Sequence, residues 1–297
     1  MCEFQENISL KDFTTYKIGG NARYFFVASS EEDLISAIKK ARQDDLPFFL
    51  LGGGSNILFS DNGFDGLVIK LEFQDIKVEN NIIYAGAGVL LKKAVDIALD
   101  NELTGLEWAT GIYGTVGGAV RGNAGAFGKF ASDITHKVKV LKIDALEAEE
   151  MECYDAGYRD SCFKRDDNLI ILSASFELQK GDKNQIKQEM DKTLKYRIER
   201  HPLNFPSAGS VFKNILYEDL EIEEFKDLGF VPAGYLIEQA GLKGKIIGGA
   251  QVSEKHANFI VNINNARAQD VKDLIDLVKE TILEKYNINM EEEIVIL

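Results

Sequence analysis

The residues whose type and spacing suggest chemistry are glycines. The stretch Gly105–Gly128, GLEWATGIYGTVGGAVRGNAGAFG, holds eight of the 26 in the chain. Ordered glycine costs conformational entropy, so such density is expected where backbone must take positive φ or approach a ligand more closely than a Cβ allows. Successive N–H groups can then converge on an anion. Ala109, Thr115, Ala119, Ala124 and Ala126 would keep the walls of such a cradle thin, and a diphosphate would suit it. A glycine-rich surface loop has the same density. Against that, Leu106, Trp108, Ile112, Val116, Val120 and Phe127 are interleaved, whereas flexible linkers are polar. A second run, Gly52-Gly53-Gly54-Ser55-Asn56, follows the apolar Phe48-Phe49-Leu50-Leu51 directly, the layout of a strand-to-loop phosphate site. Neither run contains G-x-x-x-x-G-K-[ST], so a mononucleotide P-loop is unsupported. Gly86-Ala87-Gly88 lacks the third glycine of a Rossmann turn.

A chain of 297 residues has room for about two domains with sizeable cores. Its net charge of −14 excludes nucleic-acid binding through a general field, so an anionic ligand must be held by placed amides and a few cations. The opening MCEFQENISL has neither a basic region nor an apolar core, and no apolar run is long enough for a transmembrane helix. A cytoplasmic protein without membrane insertion is expected. Cys2, Cys153 and Cys162 are odd in number and lack C-x-x-C spacing, which fits reduced thiols and offers no metal site.

The elements that must position the glycine runs follow from periodicity. Residues 24–28 and 48–51 read as strands flanking a helix, which Ser30 and Asp33 start as a capping box and which carries Leu34, Ile35, Ile38 and Ala41 on one face, a β-α-β unit. A strand at 66–70 closes a first lobe, 1–70. A second, 71–201, has strands at 76–78, 82–85, 137–143 and 169–178, and a helix at 89–100 leading into the long glycine stretch, which is read as a loop. Ile186, Met190, Leu194 and Ile198 predict a helix over 184–200 that ends before His201-Pro202. Beyond it, 202–297 should form a third segment with helices near 233–240 and 268–286 and strands at 257–263 and 293–297.

These residues resemble the flavin-dependent UDP-N-acetylenolpyruvoylglucosamine reductases of peptidoglycan synthesis. The matching motifs are TTYKIGG at 14–20, LGGGSNIL at 51–58, the whole of 105–128, YRDSCFK at 158–164, PSAGSVFKN at 206–214, AGYLIEQAGLKG at 233–244 and VSEKHANFIVN at 252–262. They span nearly the whole chain, and the short C-terminal loops look like the branch lacking a substrate-closing insertion. The resemblance implies an α+β fold: a two-lobed FAD-binding domain of the PCMH, or vanillyl-alcohol-oxidase-like, type, plus a C-terminal α/β substrate-binding domain. FAD would be held without a covalent link by Gly52, Gly53, Gly54, Ser55, Asn56, Gly111, Thr115, Gly117, Gly118 and Ala119. His136, His201 and His256 read as surface or capping histidines.

The implied reaction takes electrons from NADPH through FAD to the vinyl group of UDP-N-acetylglucosamine enolpyruvate, giving UDP-N-acetylmuramate, in a protein expected to be a monomer. The resemblance assigns Arg159 to the substrate carboxylate, Ser210 to proton donation and Glu293 to the enolic oxygen, with Tyr158, Lys213 and Asn214 against the UDP-sugar. From the residues alone, Arg159 reads as an ion-pair partner of Asp160 or Asp166, Ser210 as a turn hydroxyl, and Glu291, Glu292 and Glu293 as a solvated acidic run with Glu292 an alternative to Glu293. Val295 stands where the family pattern usually has a basic residue near the diphosphate, Tyr113 replaces a usual proline, and Arg121 replaces a smaller or aromatic residue. An oxidase on the same scaffold and a silent UDP-sugar or nucleotide binder remain open.

Overall fold

The chain forms α-helices and β-strands in one mixed α+β arrangement, seen in a computed structural model that describes residues 3–152 and 155–297. The readings on Cys2 and Cys153 lie outside the described residues. Contacts divide the protein into two units, each discontinuous in sequence. The first takes residues up to Ile8, Ala22–Gly53 and Asp65–Arg197; the second takes Ser9–Asn21, Gly54–Phe64 and Ile198–Leu297. This differs from contiguous segments broken after 70 and 201.

In the first unit, the strands Gln5–Ser9, Asn21–Ala28, Phe64–Leu71 and Phe48–Leu51 lie in that order in one sheet. Phe48–Leu51 runs parallel to Phe64–Leu71, so a later strand sits between the two expected to flank the helix. That helix, Glu31–Gln43, begins with the reciprocal Ser30–Asp33 box, a cap worth about 1 kcal/mol. It buries Leu34, Ala37, Ile38 and Ala41 against the sheet's Leu67, Ile69 and Leu71. A five-stranded antiparallel sheet runs Glu147–Met151, Thr135–Lys142, Leu169–Glu177, Ile82–Gly86, Ile76–Glu79.

The two expected lobes share one unit because strand Leu169–Glu177 feeds both cores. Ile170 and Leu172 join the first-lobe cluster, while Ile171, Ala174 and Phe176 join the cluster of the second. Strict alternation could not put 171 with 174. The register slips between the pairs Lys139↔Ser173 and Val140↔Ile171, and this bulge reverses the faces. The helix Lys183–Arg200 also departs from its simple pattern. It buries Ile186, Met190, Thr193 and Arg197, and leaves Leu194 37 % and Ile198 54 % exposed.

The second unit is built on the helix Ala268–Tyr286 and the strands Ile246–Ile247, Ala250–Val252 and Ile260–Asn262, with Ala233–Gln239 packed beside them. The strands expected at 257–263 and 293–297 are shorter, Ile260–Asn262 and Val295–Ile296. The motif at 14–20 belongs here for a specific reason. Buried Tyr16 donates its hydroxyl to the Ile260 carbonyl at 2.7 Å, and Asn262 Nδ2 donates to the Tyr16 carbonyl at 3.2 Å. The final strand pairs in parallel with Ile57–Leu58.

Asp270 starts the long helix from the inside. Its buried carboxylate accepts the N–H groups of Arg267 and Gly249, each at 3.0 Å, and the Arg267 guanidinium at 2.8 Å. Burial opposes ionisation, but those donors outweigh it and hold the carboxyl below its ordinary value. A carboxyl depressed by folding stabilises above its unfolded value, about 3.9, and loses that contribution as pH falls through its folded value. Asp270→Asn should therefore cost on the order of 1–3 kcal/mol at neutral pH. Calorimetry should show the melting-temperature gap to wild type narrowing below about pH 4; a gap independent of pH would remove the charge from this explanation.

Candidate active site

Phe48–Leu51 ends at Gly52, where a side chain has no room. A Cβ on Gly52 would lie 2.9 Å from Thr115 Oγ1, and one on Gly53 would lie 2.9 Å from the Gly114 Cα. The two glycine runs thus meet backbone to backbone within the first unit. Thr115 then caps a helix, Val116–Arg121, its Oγ1 accepting the Gly118 N–H at 3.3 Å. Part of the stretch read as a loop is therefore helical, and this changes what its amides can do. The N–H of Gly117 goes to Ala87 O at 3.0 Å and that of Ala119 to Thr115 O at 2.9 Å. The N–H groups of Gly117, Gly118 and Ala119 are therefore all bonded within the chain.

Residues missed by sequence reasoning tie this cradle to its surroundings. Buried Glu107 accepts Thr104 Oγ1 at 2.6 Å and Gly105 N–H at 2.9 Å, fixing where the stretch begins. At its other end Asn123 Nδ2 donates to Gly157 O at 2.8 Å and Ser161 Oγ donates to Arg121 O at 2.6 Å. Those bonds hold a two-residue hairpin, Ala156–Gly157 paired with Asp160–Ser161, whose turn is Tyr158-Arg159. Arg159 sits at φ +55°, its carbonyl accepts Lys164 Nζ at 2.9 Å, and its guanidinium lies 5.2 Å from the Tyr158 ring. Asp160 forms its ion pair with Arg165, which also pairs with Asp155.

Arg197 is a buried cation in the same unit, 8 % exposed. Its Nε donates to Thr110 O at 2.8 Å and its Nη2 to Trp108 O at 3.1 Å. Gly111, at φ +81°, makes way for it: a Cβ there would lie 2.9 Å from Arg197 Cδ. Burial pulls the guanidinium below its ordinary value; Tyr196 opposes this and Arg159 adds to it. The spacing 186, 190, 193, 197 on one helical face was the available signal, masked by taking every fourth residue as the apolar stripe. Nearby, Trp108 Nε1 and Thr110 Oγ1 are buried without a hydrogen-bond partner, a cost of roughly 1–3 kcal/mol each unless a ligand supplies one.

In the second unit, Gly54 takes φ +63° and its carbonyl accepts Thr15 N–H at 3.0 Å, while Thr15 Oγ1 donates to Ser207 O at 2.7 Å. Asn56 Nδ2 donates to Glu293 O at 3.1 Å, and Val295 N–H donates to Asn56 O at 3.0 Å. The GGGSN run therefore passes from one unit to the other, and its Asn56 side chain holds the C-terminal segment. That segment lies against the residues following Ser210: Glu293 N–H donates to Val211 O at 2.7 Å and Lys213 N–H to Glu291 O at 2.9 Å. Lys213 Nζ meets Glu291 at 2.9 Å and Lys279 Nζ meets Glu292 at 2.8 Å. Asn214 Oδ1 accepts the Ala233 N–H at 3.2 Å, capping the helix Ala233–Gln239. Among the described residues no group of three or more His, Cys, Asp or Glu is placed to hold a metal ion, and no helix is long and apolar enough to cross a membrane.

The histidines stay apart from this chemistry. His136 Nδ1 lies 3.7 Å from Glu177 at the surface, and His201 and His256 stack edge to face at 5.4 Å. Burial lowers the affinity of His256 for a proton, Lys243 adds to the effect, and its Nδ1 accepts the Asn258 N–H at 3.3 Å.

Closely approaching glycine backbone, with buried polar atoms that lack a protein partner a few residues before it in sequence, is what a bound ligand would satisfy. Residues 22–145 match the FAD binding domain family, so the class is that of flavin-dinucleotide-binding proteins. Residues 201–297 match the C-terminal domain of UDP-N-acetylenolpyruvoylglucosamine reductase. The chain is 42 % identical to the enzyme of that name from Fervidobacterium nodosum over 295 residues, 99 % of this chain and 91 % of the relative. It is 38 % identical to that from Clostridium novyi over 301 residues, 98 % and 91 % of the two. The crystal structure of the Thermus caldophilus reductase aligns with a TM-score of 0.81 at 32 % identity, covering 99 % of each chain. The chain belongs to the UDP-N-acetylenolpyruvoylglucosamine reductase family.

FAD fits the cradle by the Cβ test at Gly52 and Gly53 and by the unpartnered Thr110 hydroxyl beside it in sequence. Thr110→Val removes that hydroxyl at similar volume. It should stabilise the FAD-free protein by about 1 kcal/mol and weaken FAD binding several-fold in a fluorescence titration. Lower stability with unchanged FAD affinity would contradict a ligand-facing hydroxyl.

Proposed function

We propose that the protein reduces the enolpyruvyl group of UDP-N-acetylglucosamine enolpyruvate to the lactyl ether of UDP-N-acetylmuramate, using NADPH. The observation that supports it most is in the second unit, where the Glu293 N–H donates to Val211 O, so the backbone of Glu293 lies against the residue that follows Ser210. Family membership supports the substrate. FAD, when bound, supplies the two-electron chemistry that links NADPH to the vinyl group.

The remaining work belongs to the chain's own residues. Addition to the vinyl carbon leaves negative charge at the α-carbon, spread into the carboxylate. The Arg159 guanidinium grips that carboxylate as its charge grows, which a permanently protonated fork does better than a lysine. Its left-handed hairpin turn, fixed by Asn123 and Ser161, sets the direction of approach. Ser210 Oγ gives its proton to the α-carbon. Glu293 hydrogen-bonds the enolic oxygen, while Lys213 and Lys279 engage Glu291 and Glu292.

Tyr158 and Lys213 contact the UDP-sugar, Lys213 by exchanging Glu291 for a substrate oxygen. Asn214 joins them from its position at the start of the helix it caps. The amides of the GGGSN run and of residues 111–115 hold the FAD diphosphate, with Gly117, Gly118 and Ala119 as its close wall. Ile57–Leu58 pairs with Val295, where the family's basic residue would stand, so the phosphate charge is met elsewhere.

The purified protein should be yellow and bleach with NADPH under anaerobic conditions. Ser210→Ala should still be reduced by NADPH, yet lose roughly 10²-fold or more in reoxidation by the enolpyruvyl substrate. Equal damage to both half-reactions would reject Ser210 as the donor, and hydrogen peroxide formed from a sugar without nicotinamide would reject the reductase reading.

A further inference from the structure

The catalytic reading leaves one buried polar side chain of the second unit unexplained. Asn258 is 4 % exposed and lies in none of the roles above. Its amide makes a two-point grip on the backbone of a single residue: Oδ1 accepts the Phe212 N–H at 2.9 Å, and Nδ2 donates to the Phe212 carbonyl at 2.8 Å. Its own carbonyl accepts the Val211 N–H at 2.8 Å. Residues 211 and 212 are thus bonded to Asn258 on one side, and on the other Val211 O accepts from Glu293.

We infer that Asn258 is a positioning residue for proton transfer, fixing the Ser210 hydroxyl relative to Glu293 through the Phe212 peptide. This rests on the reading of Ser210 as donor. The local chain explains why such a device is needed. Ser210 follows Gly209, which takes φ +80° and against which a Cβ would find nothing within 4 Å, so although Ala208 is buried in the core, the residue next to Ser210 has no side chain to pack. Upstream the chain is next bonded at Ser207 O, by Thr15, and at Pro206 O, by Asn262 N–H. The direction of the Ser210 side chain is therefore set downstream, where Asn258 closes the backbone of the next two residues.

Asn258 is itself rigidly presented. Its N–H donates to His256 Nδ1 at 3.3 Å, His256 and Lys255 N–H groups donate to the Ser253 hydroxyl at 3.3 and 3.1 Å, and Ser253 N–H donates to Phe259 O at 2.8 Å. A closed turn from 253 to 259 thus carries the grip. A primary amide suits the task because it offers an acceptor and a donor side by side, matching the N–H and C=O that one residue presents on the same side of an extended backbone. Removing it strands both, which costs more than the bonds contribute. A displacement of the hydroxyl by about 1 Å is enough to slow transfer roughly 10²-fold.

The test compares Asn258→Ala, Asn258→Asp, Ser210→Ala and the double variant Asn258→Ala with Ser210→Ala, all as FAD-loaded protein. Reduction by NADPH should stay within about twofold of wild type in Asn258→Ala, while reoxidation by UDP-N-acetylglucosamine enolpyruvate slows roughly 10- to 100-fold. The double variant should be no slower than Ser210→Ala, because the two act as one unit. Amide hydrogen exchange, a readout independent of turnover, should be faster at Phe212 in Asn258→Ala by at least about tenfold. Asn258→Asp keeps an acceptor for the Phe212 N–H and loses only the donor, so its losses should be intermediate; it decides the matter where the alanine variant sheds FAD. Equal slowing of both half-reactions, multiplication of the two losses in the double variant, or unchanged Phe212 exchange would overturn the inference. Normal reoxidation in Ser210→Ala would instead remove the donor assignment beneath it.

Discussion

Backbone passes close to backbone at the end of strand Phe48–Leu51 with no space for a side chain on Gly52 or Gly53, and the architecture of the first unit follows from that closeness. A Cβ on Gly53 would stand 2.9 Å from the Gly114 Cα, so the first run cannot carry an ordinary residue there. The contact sets the position of Thr115, which starts the helix Val116–Arg121. The end of that helix, through Arg121 O and Asn123, fixes the hairpin that presents Arg159. A protein of net charge −14 gains a further advantage from this arrangement. Oriented amides attract a diphosphate locally without any excess of lysine and arginine elsewhere.

The second unit solves a different problem with polar clamps. The segment 207–214 is not part of a regular sheet, yet backbone groups of Ser207, Val211, Phe212 and Lys213 are held by Thr15, Asn258, Glu291 and Glu293. Lysines pair with two of three consecutive glutamates, Lys213 with Glu291 and Lys279 with Glu292, so a run that looks like uniform acidic surface is partly neutralised. Asn56 and Tyr16 bring N-terminal chain into this unit by hydrogen bonds to Glu293 O and Ile260 O.

Much of this was legible in the sequence, for identifiable reasons. The capping box at Ser30, the helix at 268–286 and the alternation over 137–143, seen as strand Thr135–Lys142, are local signals, and local physics decided them. Strand Glu147–Met151 was missed because EAEEM has poor strand propensity. It is held by its neighbour, with Lys142–Glu149 at 2.7 Å and Lys137–Glu150 at 3.7 Å across the pair. The helix inside the glycine stretch was missed because glycine disfavours helices, while the Thr115 cap and burial of Val116 and Val120 outweigh that bias. Arg197 was hidden by its charge on an otherwise apolar face. The discontinuous units could not be read locally at all, since they depend on bonds such as Asn262 to Tyr16, 246 residues apart.

FAD affinity of Gly53→Ala tests the glycine crossing most directly. Fluorescence titration of the FAD-free protein, with calorimetry to confirm that the variant is folded, should show the Kd rise at least about tenfold, a loss near 1.4 kcal/mol. A folded variant that binds FAD as tightly as wild type would contradict the cradle.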